Sequence, residues 1–209
     1  MFDPIFVKIL KAPLGRTGRA LAARGIHPDT LTWGGFSVGL FGAMAIANEL
    51  YLFGLACILI NRIADGLDGA VARATQPTDF GSYLDIVLDF IAYSAIAAGF
   101  ALSNPNHTFA GVMLMVSFMG TASAFLAFAI IAAKHNLNTE TRGRKSIFYV
   151  GGVAEGSETI AFFAIVCVWP EHFSLATWIF IGMCWITVAQ RIFQAKKIFR
   201  DSTELSTDI

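Results

Sequence analysis

Charge is what this sequence has least of. Its 209 residues carry 15 Lys and Arg against 15 Asp and Glu, 14% charged in all, where a globular chain averages roughly 25%. With 56% hydrophobic residues and a mean hydropathy of +0.62, too few polar groups exist to cover a water-facing surface. The balanced net charge excludes the basic excess of a nucleic-acid binder. Cysteine is scarce too: Cys57, Cys167 and Cys184 sit in apolar runs without paired spacing, which excludes a disulfide scaffold and reads as small buried hydrophobes. No repeat of 20–50 residues is visible. What remains is a multi-span membrane protein.

Crossing a hydrocarbon core of about 30 Å takes about 20 helical residues. Six stretches meet or approach that length: Thr30–Ala47, Tyr51–Arg73, Ser82–Leu102, Phe109–Ala133, Val150–Trp169 and Phe173–Ile192. Only six prolines are present, at 4, 13, 28, 77, 105 and 170, and all lie outside these spans, where a helix breaker does no harm. Asp29 is expected to cap the first span. Ahead of it, Phe2, Ile5, Phe6, Ile9 and Leu10 follow the rhythm of one helical face with Lys8 and Lys11 off it. This predicts a basic amphipathic helix on the membrane surface, broken by Pro13 and Gly15; packing on the protein's own membrane domain is the alternative. The run is too short for a signal peptide and no small-residue cleavage site follows. Gly34, Gly35, Gly39 and Gly42 are expected to let helices approach closely.

The fold class expected is therefore all-α: six transmembrane helices preceded by a basic amphipathic juxtamembrane helix. Residues 1–28 form the surface segment, 29–200 one membrane domain, and 201–209 a polar tail. Fourteen of the fifteen basic residues lie on one side or at its edge, in the N-terminal segment, the second-to-third and fourth-to-fifth connections, and the C-terminal end; Arg62 alone falls in the interior of a span. The positive-inside rule then places both termini in the cytoplasm, with the chain a multi-pass protein of the cell membrane.

Six acidic residues lie inside the spans: Asp65, Asp68, Asp85, Asp89, Glu155 and Glu158. A carboxylate in hydrocarbon costs several kcal/mol unless paired, hydrated or metal-bound, so each is a functional candidate. Asp65 and Asp68 are spaced i, i+3 on the second span; Asp85 and Asp89 are i, i+4 on the third, so each pair shares a face. Asp65 and Asp68 lie about 8–12 Å from the C-terminal end of the second span and Asp85 and Asp89 about 5–10 Å from the N-terminal end of the third, so antiparallel neighbours would bring all four to one level. Arg62 and Arg73 cannot neutralise four carboxylates. All-oxygen ligation without nearby His or Cys favours Mg²⁺ or Mn²⁺, and one ion or two both fit. Gly69 and Ala72 leave a strip without bulk beside Asp65 and Asp68, and Arg73 follows, placed for an anionic group. Metal ions with an arginine clamp are the equipment of phosphoryl chemistry.

Written out, the segment is Asp65-x2-Asp68-Gly69-x2-Ala72-Arg73-x7-Gly81-x3-Asp85-x3-Asp89, eight fixed positions over 25 residues. It resembles at every position the defining signature of the CDP-alcohol phosphotransferase family, integral membrane enzymes of phospholipid biosynthesis. That resemblance implies transfer of a phosphatidyl group from CDP-diacylglycerol to an alcohol hydroxyl, with release of CMP. It implies that Asp65, Asp68 and Asp85 bind two divalent metals with Asp89 near the second. It makes Asp89 the general base and puts Gly69, Ala72 and Arg73 at the CDP donor. A homodimer is implied as well. His27-Pro28-Asp29-x-Leu31-Thr32 is similar to the family's Pro-Asn-x-Leu-Thr entry to the first span, with Asp29 in place of Asn, which implies Pro28 and Thr32 near the nucleotide. Tyr149-x-Gly151-Gly152-x2-Glu155-Gly156-x-Glu158 resembles a bacterial subgroup of the family.

Glu155 and Glu158, i, i+3 on the fifth span, are candidates for the acceptor alcohol, or for pairing with Arg62 or Arg191. Arg142, Arg144 and Lys145 could hold an acceptor phosphate or serve only as positive-inside charges, and His135 in the same connection reads as solvated. A divalent-cation or proton-coupled transporter is the alternative function, because aspartates in spans also mark ion paths. Transporter sites, however, lie near the midplane at broken helices between repeats. A scaffold with a dead site is disfavoured by the complete signature.

Overall fold

The computed structural model describes residues 3–135 and 151–204, with side-chain surroundings for 12–135 and 151–199; Arg142, Arg144 and Lys145 lie outside the described residues. Seven α-helices follow in order: α1 Asp3–Ala23, α2 Pro28–Ala47, α3 Tyr51–Ala74, α4 Asp79–Ser103, α5 Pro105–Lys134, α6 Gly156–Val168 and α7 Phe173–Glu204. A 3-10 turn, Pro170–His172, joins α6 to α7. No strand occurs among the described residues.

Among the described residues, four helical stretches are long and apolar enough to cross a membrane: Pro28–Ala47, Asp79–Ser103, Pro105–Lys134 and the run Pro170–Phe199. The expected second and fifth spans depart from that standard for different reasons. Helix α3 has the length, 24 residues, but carries the charged residues Arg62, Asp65, Asp68 and Arg73. Helix α6 has only 13 residues, about 20 Å of rise. The fifth stretch begins its helix at Gly156 rather than Val150, because Gly151–Glu155 runs as irregular backbone. That segment is held by protein instead: the Thr187 hydroxyl of α7 accepts from the Val153 and Ala154 N–H groups at 3.0 and 2.9 Å. Irregular backbone survives at depth only where such partners replace its own helical bonds.

The prolines open helices rather than merely avoiding them. Pro28 and Pro105 occupy the first positions of α2 and α5, where the missing N–H has no helical partner to lose. His27, not Asp29, is therefore the N-cap of α2, and Asp29 lies in its first turn. Pro13 does not break α1, which continues from Asp3 to Ala23. A mid-helix proline costs about 3 kcal/mol, and contact with α3 offsets it. Gly18 crosses α3 so closely that a Cβ there would lie 2.6 Å from that of Ala70. Leu14 lies over Gly66. The C-terminal half of α1 thus packs on the protein's own helices, which was the alternative to a purely surface helix.

Helices α2, α3 and α4 form one packed group. Gly35, Gly39 and Gly42 of α2 meet Ala64, Asn61 and Cys57 of α3, whereas Gly34 faces open space. The larger apolar core runs from Ala43 and Ile46 of α2 and Ile58 of α3 into α4, α5, α6 and α7, where Phe100 stacks on Phe173 at 4.6 Å and Phe162 on Phe180 at 4.5 Å. The outer surface is apolar as well: Phe41, Leu52, Met119 and Phe193 are 64–74% exposed. An exterior this greasy belongs against lipid. All three cysteines are free and buried.

Candidate metal and phosphate site

The i, i+3 spacing of Asp65 and Asp68 puts both on the face of α3 turned toward α4, and Asp85 comes in from α4. Ligand oxygens of these three lie within 4.8 Å of one another. Opposite ligands of a Mg²⁺ ion with bonds of 2.0–2.1 Å are about 4.2 Å apart, so three hard oxygens at this spacing suit one such ion. Asp68 is 7% exposed and is oriented from α2. The Thr32 hydroxyl donates to its Oδ2 at 2.6 Å. Thr32, expected beside the nucleotide, thus reaches a carboxylate of the trio.

Asp89 lines the same cleft as the trio but has a different partner. Arg62 grips its carboxylate with both terminal nitrogens, Nη1 donating to Oδ2 at 3.0 Å and Nη2 to Oδ1. The same Nη1 lies 3.6 Å from Asp65 Oδ2. Two arginines indeed cannot neutralise four carboxylates, yet one of them claims Asp89. Asp89, expected near a second metal and as the general base, thus has Arg62 as its partner. Arg62 was visible in the sequence as the sole basic residue of a span; its target was not, because 27 residues separate it from Asp89. Asn61 and Tyr93, which hold Arg62 in turn, had no sequence signal beyond their nearness to the signature.

Gly69 and Ala72 follow along α3, and the Arg73 guanidinium folds back over Gly69, its Nη1 3.1 Å from where a Cβ would be. Arg73 is exposed. Gly81 lies in the first turn of α4. Its N–H caps onto the Thr78 hydroxyl at 3.0 Å, and a Cβ there would lie 3.4 Å from Asp29 Oδ1. That oxygen is buried and has no hydrogen-bond partner among the described residues. Pro28, one residue earlier, starts the helix and accepts from Thr32 through its carbonyl at 3.2 Å.

Glu155 and Glu158 do not form an acid pair on the face of a span. Glu155 is the N-cap of α6 and Glu158 its third residue; each side chain accepts from the other's backbone N–H in a capping box. Glu155 also accepts from Gly152 N–H at 2.9 Å. The sequence carried this signal, since an acid at the cap and Glu three residues later before an apolar run mark a helix start. Arg62 is taken by Asp89, and the buried Arg191 donates to the Thr121 carbonyl at 2.8 Å.

Comparison with known proteins agrees with this architecture. Residues 25–190 match the family model of CDP-alcohol phosphatidyltransferase. The chain is 43% identical over 185 residues to the inner membrane protein YnjF of Escherichia coli, covering 88% of this chain and 90% of that one. It is 28% identical to the archaetidylinositol phosphate synthase of Pyrococcus horikoshii, over 90% and 93% of the two chains. Among solved structures, the phosphatidylinositol phosphate synthase PgsA1 of Mycobacterium tuberculosis in complex with manganese and citrate shares the fold. The TM-score is 0.69 at 23% identity, covering 87% and 88% of the chains. With the four aspartates of the signature lining one cleft and the family model spanning most of its length, this chain belongs to the CDP-alcohol phosphatidyltransferase family of membrane transferases in phospholipid biosynthesis.

Proposed function

We propose that the chain transfers a phosphatidyl group from CDP-diacylglycerol to an alcohol hydroxyl and releases CMP. The observation that carries this reading is the convergence of Asp65, Asp68 and Asp85 on one point, with Asp89 in the same cleft. A divalent ion held by the trio would neutralise charge on the donor diphosphate. A second ion, which the resemblance implies, has to share Asp89 with Arg62. Crystal structures of PgsA1 carry CDP-diacylglycerol in one case and manganese in another, which supports the same ligands here.

In this reading Gly69 and Ala72 let the diphosphate approach the α3 backbone, and Arg73 swings from Gly69 onto it. Asp89 accepts the proton of the acceptor hydroxyl. The freed oxygen attacks the β-phosphorus, and the bond to CMP breaks with its electron pair on the departing phosphate. Thr32 serves by holding Asp68, and Pro28 by starting the helix that presents Thr32. Six spans, cytoplasmic ends and a homodimer complete the proposal, resting on the one-sided Lys and Arg count and on family resemblance. Residues 29–200 act as one catalytic domain. Arg142, Arg144 and Lys145 stay candidates for an acceptor phosphate, on their charge and sequence position.

The test is purified protein with CDP-diacylglycerol, Mg²⁺ and a panel of alcohols including an inositol phosphate, glycerol 3-phosphate and serine. CMP release and one new lipid by mass spectrometry are expected, with complete loss in EDTA and recovery on adding Mn²⁺. No CMP with any acceptor, or turnover undiminished by exhaustive metal removal, would overturn the reading.

A further inference from the structure

We propose that Arg62 is a positioning residue for Asp89, a role that rests on the transferase reading above and that no signature position supplies. The argument is a count of donors. A guanidinium has five N–H groups in a fixed plane, and here all five are spent. Nε and Nη2 donate to Asn61 Oδ1 at 3.0 and 2.8 Å. Nη1 donates to the Tyr93 hydroxyl at 2.9 Å and to Asp89 Oδ2 at 3.0 Å. The second Nη2 proton goes to Asp89 Oδ1. No donor is left for a phosphate or carboxylate of either substrate. Arg62 therefore acts on the reaction through Asp89, while the exposed Arg73 is the cation open to an anionic ligand.

The seat of Arg62 is built to hold it still. Asn61 is 6% exposed and packs against α2, with its Cγ only 3.3 Å from where a Gly39 Cβ would be. On the α4 side the guanidinium lies 5.2 Å from the Tyr93 ring centroid. A bidentate grip fixes the plane of the Asp89 carboxylate. Lysine would preserve the charge but not the fork, so charge and orientation are separable by mutation.

The experiment compares wild type with Arg62→Lys, Arg62→Gln, Tyr93→Phe, Asp89→Asn and the Arg62→Gln/Asp89→Asn double variant. Arg62→Lys should lose roughly 10²-fold in kcat, the scale of a 1 Å misplacement. Its KM for CDP-diacylglycerol, and its Mn²⁺ affinity by electron paramagnetic resonance, should stay within about threefold of wild type, since Arg62 makes no hydrogen bond to the trio and lysine keeps the charge that lies 3.6 Å from Asp65. Tyr93→Phe should lower kcat less, with the same KM. A raised acceptor KM at unchanged kcat would make Arg62 a substrate clamp, and loss of Mn²⁺ binding would make it a structural support; either overturns the proposal. Thermal unfolding reads the pair without turnover. Arg62→Gln should lower Tm by orphaning Asp89, and adding Asp89→Asn should restore it. Absence of that rescue overturns the pairing. A wild type that releases no CMP while the rescue holds refutes the transferase reading instead and takes the catalytic role of Arg62 with it.

Discussion

Replacing Thr32 by valine removes a hydroxyl and almost nothing else. The two side chains have the same shape, so the close approach of α2 to α3 survives. What disappears is the 2.6 Å hydrogen bond to Asp68 Oδ2. The hydroxyl has one proton, and the longer 3.2 Å contact to the Pro28 carbonyl cannot use it simultaneously. Hydrogen bonds to charged groups contribute about 1.5–3 kcal/mol, which at 1.4 kcal/mol per decade is roughly a 10–100-fold change in affinity. Loss of an outer partner of a metal-ligating carboxylate costs typically about 10–100-fold, so two independent lines meet at one magnitude. The sign follows from geometry. Without Thr32 the Asp68 carboxylate can rotate away from Asp65 and Asp85, and the ion loses one converging ligand. Titration of Thr32→Val with Mn²⁺, followed by electron paramagnetic resonance, should show weaker binding by that factor. Thr32→Ser should stay near wild type. An Mn²⁺ affinity of Thr32→Val equal to wild type would refute the argument and free Thr32 for the nucleotide role.

Asp89→Asn should abolish turnover yet keep CDP-diacylglycerol binding, because the amide cannot take a proton; Arg73→Ala should weaken donor binding by calorimetry, since a charge against the diphosphate is gone. Equal loss of binding in both would assign Asp89 to donor or metal binding. Glu158→Ala breaks the capping box and should lower stability by about 1 kcal/mol, seen as a modest fall in Tm in detergent with acceptor KM unchanged; a raised acceptor KM would reinstate Glu158 at the substrate. Gly152→Val drives a Cβ to within 2.2 Å of Thr187 Cγ2 and should destabilise by about 1–3 kcal/mol or more, whereas Thr187→Ser keeps the hydroxyl and should be tolerated. In a cysteine-free background, Asn106→Cys should label from outside and Glu140→Cys only from inside; the reverse pattern would refute the proposed orientation.

Much of this protein was legible before folding because the bilayer restricts what a chain can do. Apolar runs bounded by Pro28, Pro77 and Pro105 had to become helices, and helical spacing alone put Asp65 with Asp68, and Asp85 with Asp89, on common faces. Local chemistry also marked the α6 start at Glu155 and Glu158, though hydropathy alone extended that span to Val150. Hydropathy could not register that Thr187 would satisfy the Val153 and Ala154 N–H groups, leaving the backbone free to stay irregular. Nor could periodicity show that α1 would run through Pro13, since its support is Gly18 against Ala70, 52 positions away. The residue types and spacing of the site were thus set along single helices. Tertiary structure decided which carboxylate each cation and hydroxyl reaches: Thr32 to Asp68 across 36 residues, Arg62 to Asp89 across 27. Such partners lie on different helices, and their pairing depends on how closely the small residues of α2 let those helices approach.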